Sequence, residues 1–172
     1  MRRTTRLMTL LAAVAVATPL GPVLGAAGTA GADGVKDNSG GGTFAPFAQM
    51  LRRCDFSETD FNGPTGYARA TAVIRSDGST VSADIQIATA IPNIRYDVRL
   101  IQVPRPSSAS CIGGDPGVAV GALNIDGAGA AATSLSAPIA PGATGAWVFI
   151  SRPDRFSQNP AEFYTTDLIV KI

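Results

Sequence analysis

The chain has 172 residues, 45% of them hydrophobic and 16% charged, with 19 Gly, 12 Pro, 2 Cys and no His. A charged fraction this far below the roughly 25% of ordinary domains is not a nucleic-acid-binding or coiled-coil composition. Without His, no Ser-His-Asp or Cys-His catalytic set can form, and the usual His-containing zinc sites are excluded.

The chain opens on a secretory pattern. Arg2, Arg3 and Arg6 precede an apolar run from Leu7 to Leu20, and Ala30-Gly31-Ala32 before Asp33 reads as an A-x-A cleavage site, with Ala26-Ala27 as a second candidate. The run falls short of the ~20 apolar residues that span a bilayer. Thr4-Thr5-Arg6 after the Arg2-Arg3 pair lacks the apolar residues of a twin-arginine signal, so general secretion is expected. No Cys lies near the cleavage site, so no lipid anchor is expected. Residues 1–32 are read as a signal peptide, 33–42 as a flexible Gly- and Asp-rich segment and 43–172 as one domain. The leader holds three of the 14 Lys+Arg and none of the 13 acids, which leaves 11 against 13, a charge of −2. No basic patch for nucleic acid is indicated. The expected location is extracellular or in the cell envelope.

Both cysteines, Cys54 and Cys111, lie after the leader. An even count in an exported chain predicts a disulfide. Closing so long a loop contributes roughly 4 kcal/mol in the chain-entropy model.

Phe47, Met50 and Leu51 have i, i+3, i+4 spacing, which predicts one short helical turn before Cys54. Asn62-Gly63-Pro64 then breaks regular structure. From Tyr67 the pattern is β. The Asp77-Gly78 turn predicts a hairpin with Ser76 opposite Ser79, Ile74 opposite Val81 and Ala70 opposite Ile85, all on one apolar face. A second turn at Ala90-Ile91-Pro92-Asn93 predicts Ile87 opposite Tyr96 and Ile85 opposite Val98 on that same face. A three-residue loop with Gly129 in the left-handed region predicts a third hairpin, with Gly121 opposite Leu135. Gly145–Ser151 and Tyr164–Ile172 read as two further strands. Pro104–Gly117 and Arg152–Glu162 read as long loops. Seven strands and no long amphipathic helix predict an all-β domain, a two-sheet antiparallel sandwich with a small barrel as the alternative.

The strings PNIRYDVRLIQV, GGDPGVAVGALNIDGAGAAATSL, GAWVFISRP and FYTTDLIV, with Cys111, resemble small exported β-sandwich proteins of unassigned function from high-GC actinobacteria. More distantly, P-x-x-x-Y-x-V-x-L followed by a Cys and a D-G-x-G hairpin is similar to secreted sandwiches of the CHRD and copper-zinc superoxide dismutase type. That resemblance implies a fold. It carries over no metal, since the dismutase site needs several His ligands and the sequence has none.

Candidate chemistry is sparse. Asp154, Glu162 and Asp167 flank one loop and are the nearest approach to the facing carboxylates of a glycosidase. Their plainer roles rank first: Asp154 capping a turn, Glu162 solvated, Asp167 on a polar strand face. Asp33, Asp37, Asp115 and Asp126 are too scattered for a calcium loop. Gly127 and Gly129 do not complete a dinucleotide motif. Trp147, alternating with Phe149, is read as core, with an exposed platform for sugar or peptide as the alternative. The loop from Ser151 to Pro160 holds the candidate binding residues Arg152, Arg155 and Phe156, because Arg forks and exposed aromatics serve recognition. The competing reading, ranked first, has Phe156 plugging the core under a loop that covers a sheet edge.

The expectation is a monomeric, exported, non-catalytic binding or envelope-associated module, with no cofactor, no metal and no catalytic residue. Its partner would be a protein or envelope component, and no membrane span would remain after cleavage. The alternatives are a His-independent carboxylate hydrolase acting on polysaccharide and a small-ligand or lipid carrier.

Overall fold

The computed structural model describes residues 36–37, 41–61 and 65–172. The leader, the rest of 33–42 and the Asn62-Gly63-Pro64 break lie outside the described residues. Among the described residues ten strands are seen: β1 (Lys36–Asp37), β2 (Gly42–Ala48), β3 (Arg69–Ser76), β4 (Thr80–Ala88), β5 (Arg95–Val103), β6 (Val118–Asn124), β7 (Ala131–Pro138), β8 (Gly145–Arg152), β9 (Glu162–Thr166) and β10 (Val170–Lys171). All pairings are antiparallel. The order is β6-β5-β8-β9-β2-β3-β4-β7, with β1 on β2 and β10 on β8.

The all-β expectation holds, and the sandwich and barrel alternatives meet in one strand. β2 pairs with β3 through Thr43–Pro46 and with β9 through Phe47–Ala48. It is the corner that joins two layers into one sheet. Pro46 sits where the partner changes and has no N–H to donate. The far ends of the sheet, β6 and β7, come together at a seam, so the sheet nearly closes into a barrel. There the absent side chain of Gly121 makes room for Leu135: a Cβ would stand 2.6 Å from its Cδ2.

Several sequence expectations need correction. The helical turn at Phe47–Leu51 is absent. Phe47 belongs to β2, and Arg52 instead bridges Glu58 across a tight reversal. In the β3–β4 hairpin Ser76 faces Val81, not Ser79, and Ile74 faces Ala83. The Asp77 carboxylate accepts from the Ser79 and Thr80 N–H groups, which centres the turn on Gly78-Ser79. A shift of two residues preserves side-chain parity, so the apolar face is the expected one. β4 and β5 do not pair at all. β4 pairs with β3 and β7, β5 with β6 and β8. The Thr89–Ile94 segment passes over the seam and clasps the β6–β7 turn, with Ala90 N–H on the Gly129 carbonyl and Ile125 N–H on the Ile94 carbonyl. Strands β5, β6 and β7, with β4 returning beside β7, form a Greek key.

The third turn keeps its local geometry. Gly129 has φ of +82° and Asp126 N–H bonds to the Ala130 carbonyl, but the β7 ladder then runs along β4. The Tyr164–Ile172 strand is split into β9 and β10, both on β8.

There are two cores. The interior one gathers Ile74, Ile85, Tyr96, Leu100, Leu123, Val148, Ile150 and Tyr164, all below 3% exposed. The second lies on the outer face of β5, β8 and β9: Ile101, Val103, Trp147, Phe149 and Phe163, covered by Leu51, Phe56 and the Cys54–Cys111 disulfide. This explains why β8 is apolar on both faces. Val148 and Ile150 point into the barrel, while Trp147 is fully buried under the 51–57 segment. Trp147 is core, as expected, and no platform.

Candidate functional site

Glu162 opens β9 opposite Arg152 of β8. Alternation turns it inward, and it is only 1% exposed. The solvated role expected for it is overturned. A buried carboxylate needs partners, and Glu162 has three. The Tyr164 phenol donates to Oε1 at 2.6 Å, the Tyr96 phenol donates to Oε2 at 2.7 Å, and Arg152 Nε lies 3.4 Å from Oε2. The Tyr164 oxygen in turn accepts from the Ala68 N–H at 3.0 Å. Gly66 lies against the carboxylate, and a Cβ there would collide with Glu162 and with the Tyr164 hydroxyl. Burial, with the hydrogen bond to Glu162, pushes Tyr164 up to about 12, and burial drives Tyr96 upward too. Both phenols therefore stay protonated donors.

This cluster ties the ends of the β8–β9 loop, where Ala161 N–H also bonds to the Arg152 carbonyl. Of the three candidate residues, the structure turns Arg152 inward to Glu162 with its side chain half-buried. Arg155 and Phe156 are exposed, and Phe156 is 97% so. The expectation that Phe156 plugs the core is overturned. Asp154 caps the turn as expected, its carboxylate accepting from Phe156 N–H at 2.7 Å, and Ser157 Oγ accepts from Asn159 N–H.

The carboxylate trio is not brought together. Asp154 is exposed on the loop, Glu162 is buried, and Asp167 is exposed beyond the other end of β9. Five residue steps take the chain from Glu162 to Asp167, roughly 17 Å of extended strand. Among the described residues no three His, Cys, Asp or Glu side chains converge as a metal site. No helix there is long and apolar enough to cross a membrane. The other long loop is internally knit. The Asp115 carboxylate accepts from Ser110 Oγ and Ile112 N–H, and Arg105 donates to the Ser110 and Pro116 carbonyls.

Beneath the β8–β9 loop lies a groove of about 240 Å³ on the outer sheet face. The β5–β8 register builds its floor, setting Asp97 beside Ser151 and Arg99 beside Phe149. The Arg99 guanidinium stands 5.6 Å from the Phe149 ring centroid, within cation–π range. Asp154, Ser157, Gln158 and Asn159 of the loop form the wall. Of the floor residues, Asp97 and Arg99 were not singled out from the sequence. The alternation of Arg95, Asp97 and Arg99 marks a polar face, but only the strand pairing reveals what lies beside it.

No protein-family model, curated protein or solved structure matches this chain.

Proposed function

We propose that this chain is an exported, non-catalytic binding module that recognises a component of the cell envelope through the β8–β9 loop, acting as a monomer. The observation that carries the reading is Phe156. A large aromatic side chain 97% exposed, on a loop pinned at both ends to a disulfide-linked barrel, is costly to leave in water and suited to a partner. The basic and apolar leader with its A-x-A site and the disulfide both favour export.

The alternatives draw less support. The hydrolase reading drew on Asp154, Glu162 and Asp167, which are not brought together, and the buried Glu162 already receives three donors. The carrier reading needs interior space, and the interior is occupied by large buried side chains.

Cosedimentation of the exported protein with isolated envelope material tests the proposal. The pair Arg155→Ala and Phe156→Ala is expected to weaken binding about ten-fold or more, the effect of losing roughly 1.4 kcal/mol. Equal cosedimentation of the double variant and the native protein sinks it.

A further inference from the structure

We propose that the outer face of β6, β5 and β8 binds a saccharide chain bearing carboxylates, with the Arg99 guanidinium gripping one ring carboxylate. The proposal rests on the reading of the β8–β9 loop as a recognition element and names what it recognises.

The shape suits a chain rather than a single ring. The 240 Å³ groove under the loop has a neighbour of about 270 Å³ on the β6 side of β5, lined by Arg95 and Val120. Asp97 and Arg99 line both. The two hollows therefore meet on β5 and make one path across three strands.

The chemistry suits hydroxyl groups rather than a peptide backbone. An extended peptide gains affinity by pairing with a free sheet edge. β5 is paired on both sides, so its main-chain groups are spent. Recognition must go through side chains, and the path offers both senses of hydrogen bond. Asp97 and Asp154 accept, Arg99 donates, and Ser151, Ser157, Gln158 and Asn159 do both. Asp97 uses Oδ1 on Arg95 at 3.1 Å and Asp154 uses Oδ1 on Phe156 N–H. Each has a second oxygen for a ligand hydroxyl. Phe149 adds an apolar surface to the floor.

The charges select a singly charged anion. Arg95 and Asp97 neutralise each other. Arg99 is half-buried, and among the described residues it has no carboxylate within ion-pair distance. Placement over Phe149 holds its planar fork for a bidentate carboxylate. Asp154 on the groove wall adds a negative charge that would repel a doubly charged phosphate more than a single carboxylate.

Titration calorimetry on the exported protein tests this with four probes: a uronic-acid oligosaccharide, its carboxyl-reduced neutral counterpart, a phosphorylated oligosaccharide and an oligoglutamate peptide. The uronate oligosaccharide is expected to bind at least about ten-fold more tightly than each of the others, the scale of one charge-assisted contact. Arg99→Gln is expected to abolish the difference between acidic and neutral oligosaccharides, and Arg99→Lys to restore part of it. Absent uronate binding, equal binding of the neutral form, or preference for phosphate or oligoglutamate overturns the proposal. Should Arg99→Gln fold poorly, amide chemical shifts of the native protein decide. Uronate must perturb 97–99, 149–151 and 153–160, and perturbation confined elsewhere overturns the site. Phe156-dependent envelope binding without uronate binding removes the saccharide assignment alone. Uronate binding with Phe156-independent envelope binding removes the loop reading alone.

Discussion

Phe56 closes over Trp147. The two rings meet edge to face with centroids 5.3 Å apart, and the Arg52 guanidinium lies 4.1 Å from the other centroid, that of Phe56. The backbone makes a concession for this contact. Phe56 has φ of +74°, a region that bulky residues rarely occupy. Its N–H bonds to the Arg53 carbonyl and its own carbonyl accepts from Arg52, which hold the reversal in place. Phe56→Ala should cost about 2–3 kcal/mol, less than a fully buried Phe because the ring is only half-buried. Trp147 is the only Trp, so its fluorescence reports on this contact directly. The variant should show red-shifted emission in the folded state, and unchanged emission would mean other residues seal the indole.

The same cover depends on a covalent tie. Cys54 sits in the covering segment and Cys111 in the long β5–β6 loop, 57 residues apart. The segment contributes Leu51 and Phe56 to the outer core and otherwise holds on through short local hydrogen bonds. Replacing both cysteines by Ser should lower stability by about 4 kcal/mol on the chain-entropy account. Urea unfolding with and without reductant measures it. The interior core contains neither cysteine, so the strand signal in circular dichroism should survive reduction while Trp147 emission shifts red.

How far the sequence could be read follows the range of each interaction. Side-chain parity was legible: Ala70, Ala72, Ile74, Val81, Ala83, Ile85, Tyr96, Val98 and Leu100 are all buried, as their alternation predicts. The left-handed Gly129 was legible too, because a Gly in that turn type states its own conformation. Strand pairing was legible only for the β3–β4 hairpin, two residues out of register. The Pro92-Asn93 turn signal is local, whereas the choice of β7 over β5 as the partner of β4 depends on burying the whole interior. The β2 corner was misread because Phe47, Met50 and Leu51 fit a helical spacing by chance. Glu162 looked solvated because nothing nearby in sequence announces Tyr96 as its partner, 66 residues away. The groove floor was invisible for the same reason, since Arg99 meets Phe149 only through the β5–β8 register.

Burial of the Glu162 cluster gives stability an alkaline limit. Tyr164 is pushed up to about 12 and Tyr96 moves the same way, both chiefly by burial. The unfolded phenol titrates near 10. The stability contributed by the neutral phenols is thus complete below about pH 10. It falls as pH rises through the window from 10 toward 12, because the unfolded chain releases protons that the folded chain retains. The unfolding midpoint should drop across that window, with tyrosinate absorbance of the two buried phenols rising only as the fold is lost. Tyr164→Phe should flatten the drop, though removing the hydroxyl leaves Glu162 short of a donor. Glu162→Leu is expected to cost about 3 kcal/mol, since it strands Tyr96, Tyr164 and Arg152 without their acceptor. Glu162→Gln keeps the acceptor oxygen and should cost less. Equal costs for the two variants would mean that the retained acceptor oxygen contributes nothing there.

Gly129 is the position where the barrel seam tolerates least. Its φ of +82° favours glycine, and its carbonyl accepts the Ala90 N–H at 3.0 Å. A Cβ would stand 2.7 Å from the Ala90 carbonyl oxygen, which is backbone and cannot swing aside. Gly129→Ala therefore adds strain and collision together, and about 2–3 kcal/mol of destabilisation is expected. Gly127, two residues earlier in the same turn, has open space at its Cβ position and no positive φ, so Gly127→Ala should change stability by less than about 0.5 kcal/mol. The pair is an internal control, since both lie in the same β6–β7 turn, Gly127 exposed and Gly129 buried. Thermal melts of the two variants, with amide exchange at Ala90, check it. A large loss for Gly129→Ala with fast exchange at Ala90 is the expected result. Equal melting temperatures would mean that the Thr89–Ile94 segment moves freely over the seam.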